Sequence, residues 1–85
     1  MGYLEYTFIS RINPAYDEEL DAFIEYAKKD PRFNIIIKAV GYVNLYYAFI
    51  VKDHEELKEL RRKIQSLLGD SVMQEYKVEV DEMIS

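Results

Sequence analysis

The chain reads as an α+β domain with the element order βαββαβ: a four-stranded antiparallel sheet with two helices on one face. Three observations predict it. A tight turn containing Gly41 joins two apolar runs, residues 33–40 and 45–51, both rich in β-branched and aromatic side chains. Two stretches with helical apolar spacing each begin at a capping residue, Asn13 and Asp53. Strand-like runs open and close the chain around them.

Residues 3–12 form the expected first strand, with Leu4, Tyr6, Phe8 and Ile12 on one side and Tyr3, Thr7 and Ile9 on the other. Both sides are partly apolar, the pattern of an inner strand covered twice. Asn13-Pro14 then supplies a cap and a first helical residue whose missing N–H costs nothing. Asp17, Glu18 and Glu19 suit the positive end of the helix dipole. Leu20, Phe23, Ile24 and Ala27 make the apolar stripe, Lys28 and Lys29 fall in the last turn, and Asp30-Pro31 stops the helix.

After the hairpin, whose link holds Gly41 and Asn44, Asp53-His54-Glu55-Glu56 is a capping box. Leu57, Leu60, Ile64, Leu67 and Leu68 form the second stripe, ended by Gly69. In the last strand Val72, Tyr76, Val78 and Val80 alternate with Met73, Glu75, Lys77 and Glu79, which gives it one wetter face.

With 85 residues the chain is expected to be one domain, residues 1–85, with a single two-layer core. Right-handed crossovers place both helices on the same side of the sheet. The other side is then bare yet apolar and rich in tyrosine, and such a surface marks an interaction site. A homodimer follows, with Tyr46, Tyr47 and Tyr76 as its expected interface residues. The net charge of −5 argues against unaided binding to nucleic acid and against anionic membranes. No apolar run approaches the roughly 20 residues of a membrane span. The absence of cysteine excludes disulfides and thiolate metal sites and makes a cytoplasmic setting the expectation.

Catalytic signals are thin. His54 is the only histidine, and no Ser or Cys nucleophile is placed beside it, so it reads as a surface residue. Position 58 is lysine, which breaks any His-Glu-x-x-His metal motif; no metal or cofactor is expected. Lys58, Arg61, Arg62 and Lys63 interleave with Glu55, Glu56 and Glu59 at helix-pair spacing, as surface ion pairs would. The turn amides of Gly41, Tyr42 and Val43 are placed to receive a ligand carboxylate.

The run Val40-Gly41-Tyr42-Val43-Asn44-Leu45-Tyr46-Tyr47 is followed by Asp53 two residues after Val51, by the helix containing Leu57 to Leu67, and by Gly69-Asp70-Ser71-Val72. This series resembles the C-terminal effector-binding domain of the Lrp/AsnC family of transcription regulators, whose pattern is Thr-Gly-x-x-Asp, an apolar strand, an aspartate, a helix and a Gly-Val before the last strand. The similarity covers residues 33 to about 80. It implies a ferredoxin-like fold that dimerises through its sheets and assembles further, binding an amino-acid-like effector between dimers. Carried over by position, the ligand-binding residues are Gly41, Tyr42, Val43 and Asn44. Asn44 stands where the family has aspartate and Val40 where threonine is common, changes that point to a different effector. The family's helix-turn-helix domain is not in this chain, so DNA would be reached only through a separate domain. The resemblance implies no catalysis. Alternatives are another ferredoxin-like regulatory domain for amino-acid enzymes and a dimeric α+β-barrel enzyme.

Overall fold

Four strands alternate with two helices in the computed structural model, which describes residues 3–78. In chain order they are β1 (Leu4–Ile12), α1 (Asp17–Lys29), β2 (Phe33–Lys38), β3 (Leu45–Val51), α2 (His54–Leu68) and β4 (Val72–Val78). Short 3-10 turns, Pro14–Tyr16 and Gly69–Ser71, lead into α1 and β4. The sheet is antiparallel throughout, in the order β2-β3-β1-β4. This is the expected ferredoxin-like α+β fold, with β1 and β3 inside and β2 and β4 at the edges.

The caps act where the sequence places them. Asn13 Oδ1 accepts the Ala15 N–H at 3.0 Å, capping the 3-10 turn that precedes α1. Asp53 Oδ1 accepts the Glu56 N–H at 2.9 Å, while Glu56 Oε1 reaches one residue further back than in the standard box, to the Lys52 N–H at 2.8 Å.

Leu20, Phe23 and Ala27 of α1 and Leu60, Ile64 and Leu68 of α2 are buried against one sheet face, where Phe8, Ile12, Phe33, Leu45, Tyr47, Phe49 and Val51 complete the core. Aromatic rings dominate its centre: Phe23 meets Tyr47 edge-on at 5.2 Å between centroids, and Phe8 stacks on Tyr47 at 5.5 Å.

Each edge strand carries one extra residue, and each changes which side chains face the helices. In β2, Phe33 pairs with Phe49 and Ile35 with Ala48, so Asn34 is surplus. In β4, Val72 pairs with Ile12 and Gln74 with Arg11, so Met73 is surplus. A bulge of this kind shifts the alternation by one. Phe33 therefore enters the core while Ile35 and Ile37 turn away from it. Likewise Val72 packs against the core while Tyr76 and Val78 lie on the opposite face, which corrects the expectation that Val72, Tyr76 and Val78 share a side. Val80 and Glu79 lie outside the described residues.

Tyr47 is also corrected. It was expected at a dimer interface but is fully buried on the helix side, directly opposite Phe8. Its hydroxyl donates to Glu75 Oε2 at 3.2 Å, and Arg61 of α2 closes the set by donating to Glu75 Oε1 at 3.2 Å. Burial, and after it the Glu75 charge, pushes the Tyr47 hydroxyl well above its ordinary pKa. Two charged residues of α2 pair outward to other elements, Arg61 to Glu75 and Glu56 to Arg32 at 3.5 Å, and among the described residues no ion pair runs along the helix. No helix of the described residues is long and apolar enough to cross a membrane.

Candidate sheet-face and loop site

Strand alternation sorts the uncovered face into rows that cross the sheet. One row holds Ile35, Ala48, Thr7 and Val78; the next holds Ile37, Tyr46, Ile9 and Tyr76. Ile35, Ile37, Tyr76 and Val78 are 46%, 51%, 48% and 41% exposed, and among the described residues no helix lies over this largely apolar face. Beyond the first row stands Glu5, which accepts from Asn34 Nδ2 at 3.4 Å; beyond the second stands Arg11 beside Gln74.

The loop between β2 and β3 folds over the Arg11 end. Ala39 N–H donates to Asn44 O at 3.0 Å and closes it as a six-residue link, longer than expected because β2 ends at Lys38. Gly41 has φ +141°, a conformation that favours glycine, and is the only described residue in the link with positive φ. Tyr42 reaches back across the sheet: the Arg11 guanidinium lies 4.3 Å from its ring centroid and donates to its hydroxyl at 3.2 Å. That hydroxyl donates to Gln74 Oε1 at 2.9 Å. Among the described residues no hydrogen bond engages the N–H groups of Gly41, Tyr42 and Val43.

Asn44 ties the loop to β1. Its Oδ1 accepts the Ile12 N–H at 2.8 Å and its Nδ2 donates to the Ile12 carbonyl at 3.0 Å. The side-chain amide thus completes β1 as a peptide of a neighbouring strand would. Aspartate could accept but not donate here, so asparagine at this position has a structural role.

Away from this face, Asp30 collects the strongest polar cluster. Arg32 donates to it at 2.6 Å and the Tyr26 hydroxyl at 2.9 Å. The hydrogen bonds from Arg32 hold the Asp30 carboxyl down at about 2, against the cost of burial. Burial raises the Tyr26 hydroxyl, and its bond to Asp30 adds to the rise. A groove of about 420 Å³ beside this cluster is lined by Tyr26, Arg32, Glu59, Arg62, Lys63 and Ser66. Arg32 is already committed to Asp30 and Glu56 and Lys63 lies over the Tyr26 ring, while no salt bridge among the described residues engages Arg62. His54 is exposed at the start of α2.

Of the residues singled out by sequence, Gly41, Tyr42, Val43 and Asn44 sit together in one loop, and Tyr46 and Tyr76 are neighbours of Ile9 in one row. Arg11, Gln74 and Glu5 were not singled out; their alternation with Thr7 and Ile9 on β1, and the pairing of β4 with it, is the signal that places them.

The features so far define a class: a ferredoxin-like module whose sheet has one covered and one uncovered apolar face. Among solved structures the chain is similar to PH0061, with a TM-score of 0.68 and 15% identity over 99% of this chain and 55% of that one. It is also similar to MtbAldR, with a TM-score of 0.67 and 11% identity over 96% of this chain and 54% of that one. Both are Lrp/AsnC-type regulators, and at this identity the likeness is one of fold. The chain spans about half the length of each. No protein-family profile and no curated protein matches it.

Proposed function

We propose that this chain is a non-enzymatic effector-binding and oligomerisation module of a transcription regulator, taking an amino-acid-like small molecule and reaching DNA through a separate domain. The observation that carries the reading is the uncovered apolar row of Ile37, Tyr46, Ile9 and Tyr76 directly beside a loop with three unengaged amides. A second copy covers the face, and assembly beyond the dimer brings loops together. The fold likeness to two Lrp/AsnC-type regulators supports it. The amides of Gly41, Tyr42 and Val43 receive the effector carboxylate, while Asn44 keeps the loop on β1. A ligand held between dimers then favours one assembly state over another, by as much as its affinities for the two states differ.

Sedimentation equilibrium at about 1–100 µM, a range wide enough to resolve micromolar self-association, tests the first half. The wild type is expected to be a dimer and Ile37→Glu a folded monomer with an unchanged circular dichroism spectrum. A monomeric wild type would overturn the reading. Thermal denaturation against a panel of amino acids at millimolar concentration tests the second half. A ligand at about 100 times its Kd stabilises by about 2.7 kcal/mol, enough to raise Tm by roughly 10 °C. Gly41→Asp should abolish that rise, and a panel without any rise removes the effector from the proposal.

A further inference from the structure

We infer that two copies meet with their sheets face to face and their strands antiparallel, the two-fold axis crossing the strands level with Phe8, so that Arg11 of one protomer reaches the partner's Glu5. This rests on the reading of the uncovered face as an interface between copies. It adds the orientation, and with it the residues that set pairing specificity.

Two independent features select this arrangement. The first is size. Thr7 and Ala48 make the middle of one row small, whereas Ile9 and Tyr46 make the middle of the next large. An axis across the strands at Phe8 exchanges the two rows, laying Tyr46 over the partner's Ala48 and Ile9 over the partner's Thr7. Large then meets small along the two central strands, as close packing between sheets about 10 Å apart requires, while at the edges Ile35 meets the partner's Ile37 and Val78 the partner's Tyr76. An axis along the strands does the opposite. Each row meets its own kind, Tyr46 meets the partner's Ile9, and the small rows leave a gap.

The second feature is charge. Glu5 and Arg11 both lie on this face of β1, six residues and roughly 20 Å apart, on either side of Phe8. The axis across the strands brings each over its opposite and forms two Arg11–Glu5 pairs per dimer. The axis along the strands lays Arg11 over the same end of the partner and Glu5 likewise, placing like charges together at both ends. Tyr42 already holds the Arg11 guanidinium over the face through its ring and hydroxyl, so Arg11 is presented rather than free to swing away. The remaining guanidinium N–H groups are available to a partner carboxylate.

Charge reversal tests the orientation separately from dimerisation. Arg11→Glu and Glu5→Arg are each expected to raise the dimer Kd at least about tenfold, the double variant Glu5→Arg/Arg11→Glu to return to within about threefold of wild type, and the single-variant defects to shrink in 1 M salt. Mixed with labelled wild type, the double variant should self-sort, because a mixed dimer would place like charges together. Preferential mixed dimers would overturn the orientation in favour of the axis along the strands. Single variants with unchanged Kd would overturn it in favour of an orthogonal crossing. Either result leaves a dimeric wild type standing, whereas a monomeric wild type removes both the interface and its orientation. The chain contains no cysteine, which permits a direct geometric check. A short bis-maleimide should link Arg11→Cys to Glu5→Cys in a mixture and link neither variant to itself.

Discussion

The two faces of one sheet have nearly the same chemistry and opposite fates. On the helix side Phe8, Tyr47 and Phe49 are at most 4% exposed, locked under the stripes of α1 and α2. On the other side Ile35, Ile37, Tyr76 and Val78 are exposed by 41% or more, although they are just as apolar. Two helices and short crossovers can cover one face only. The covered face holds the fold together from within one chain; the uncovered one leaves apolar side chains exposed, the surface proposed for association. Polar atoms on the helix side fare unequally. Glu75 and Arg61 satisfy the Tyr47 hydroxyl at the margin of the core, whereas Ser10 Oγ, also on the helix side, is fully buried with no hydrogen-bond partner among the described residues.

The comparison can be broken by paired substitutions. Phe49→Ala should cost about 3–5 kcal/mol in urea unfolding at any protein concentration, since it empties a closed core. Ile35→Ser on the uncovered face should change the unfolding of the monomer by less than about 1 kcal/mol. Equal costs would mean that both faces are covered alike. The next effect is smaller and belongs to the helix side. Asp30→Asn should cost about 2 kcal/mol by weakening the bonds from Arg32 and Tyr26. Because the folded Asp30 carboxyl is held at about 2, below the roughly 3.9 of an unfolded chain, its contribution is complete above about pH 4 and is lost as pH falls toward 2. Unfolding free energies measured from pH 6 to pH 2 should fall less steeply in Asp30→Asn than in wild type. The smallest effect has the opposite sign. Ser10→Ala should leave stability unchanged or raise it by about 1 kcal/mol, because it removes a buried hydroxyl without a partner. A clear loss would reveal a partner for that hydroxyl, such as an ordered water.

Most of the fold was legible because helices advertise themselves. Leu57, Leu60, Ile64 and Leu68 repeat at helical spacing, and Asp53 and Gly69 bracket them. The strands were legible as strands but not as faces. All seven residues of β3, Leu45–Val51, are apolar, so nothing in its composition distinguishes Tyr46 from Tyr47. Only the pairing of Tyr47 with Phe8 puts it inside. The bulges at Asn34 and Met73 leave no trace in a hydrophobic pattern, and the one at Met73 reverses the assignment of Val72, Tyr76 and Val78 to one side. The candidate loop was found through Gly41 and its neighbours. The dual bond of Asn44 to Ile12 joins positions 32 residues apart and could not be read from either alone.

A sheet that is greasy on both sides and open along both rims risks stacking and fusing without limit, as fibrils do. The surplus residues at Asn34 and Met73 sit on the two rims and spoil the straight ladder that an incoming strand would need. Growth sideways is thereby discouraged, and the two-fold contact proposed for the flat face would be spent once it is made.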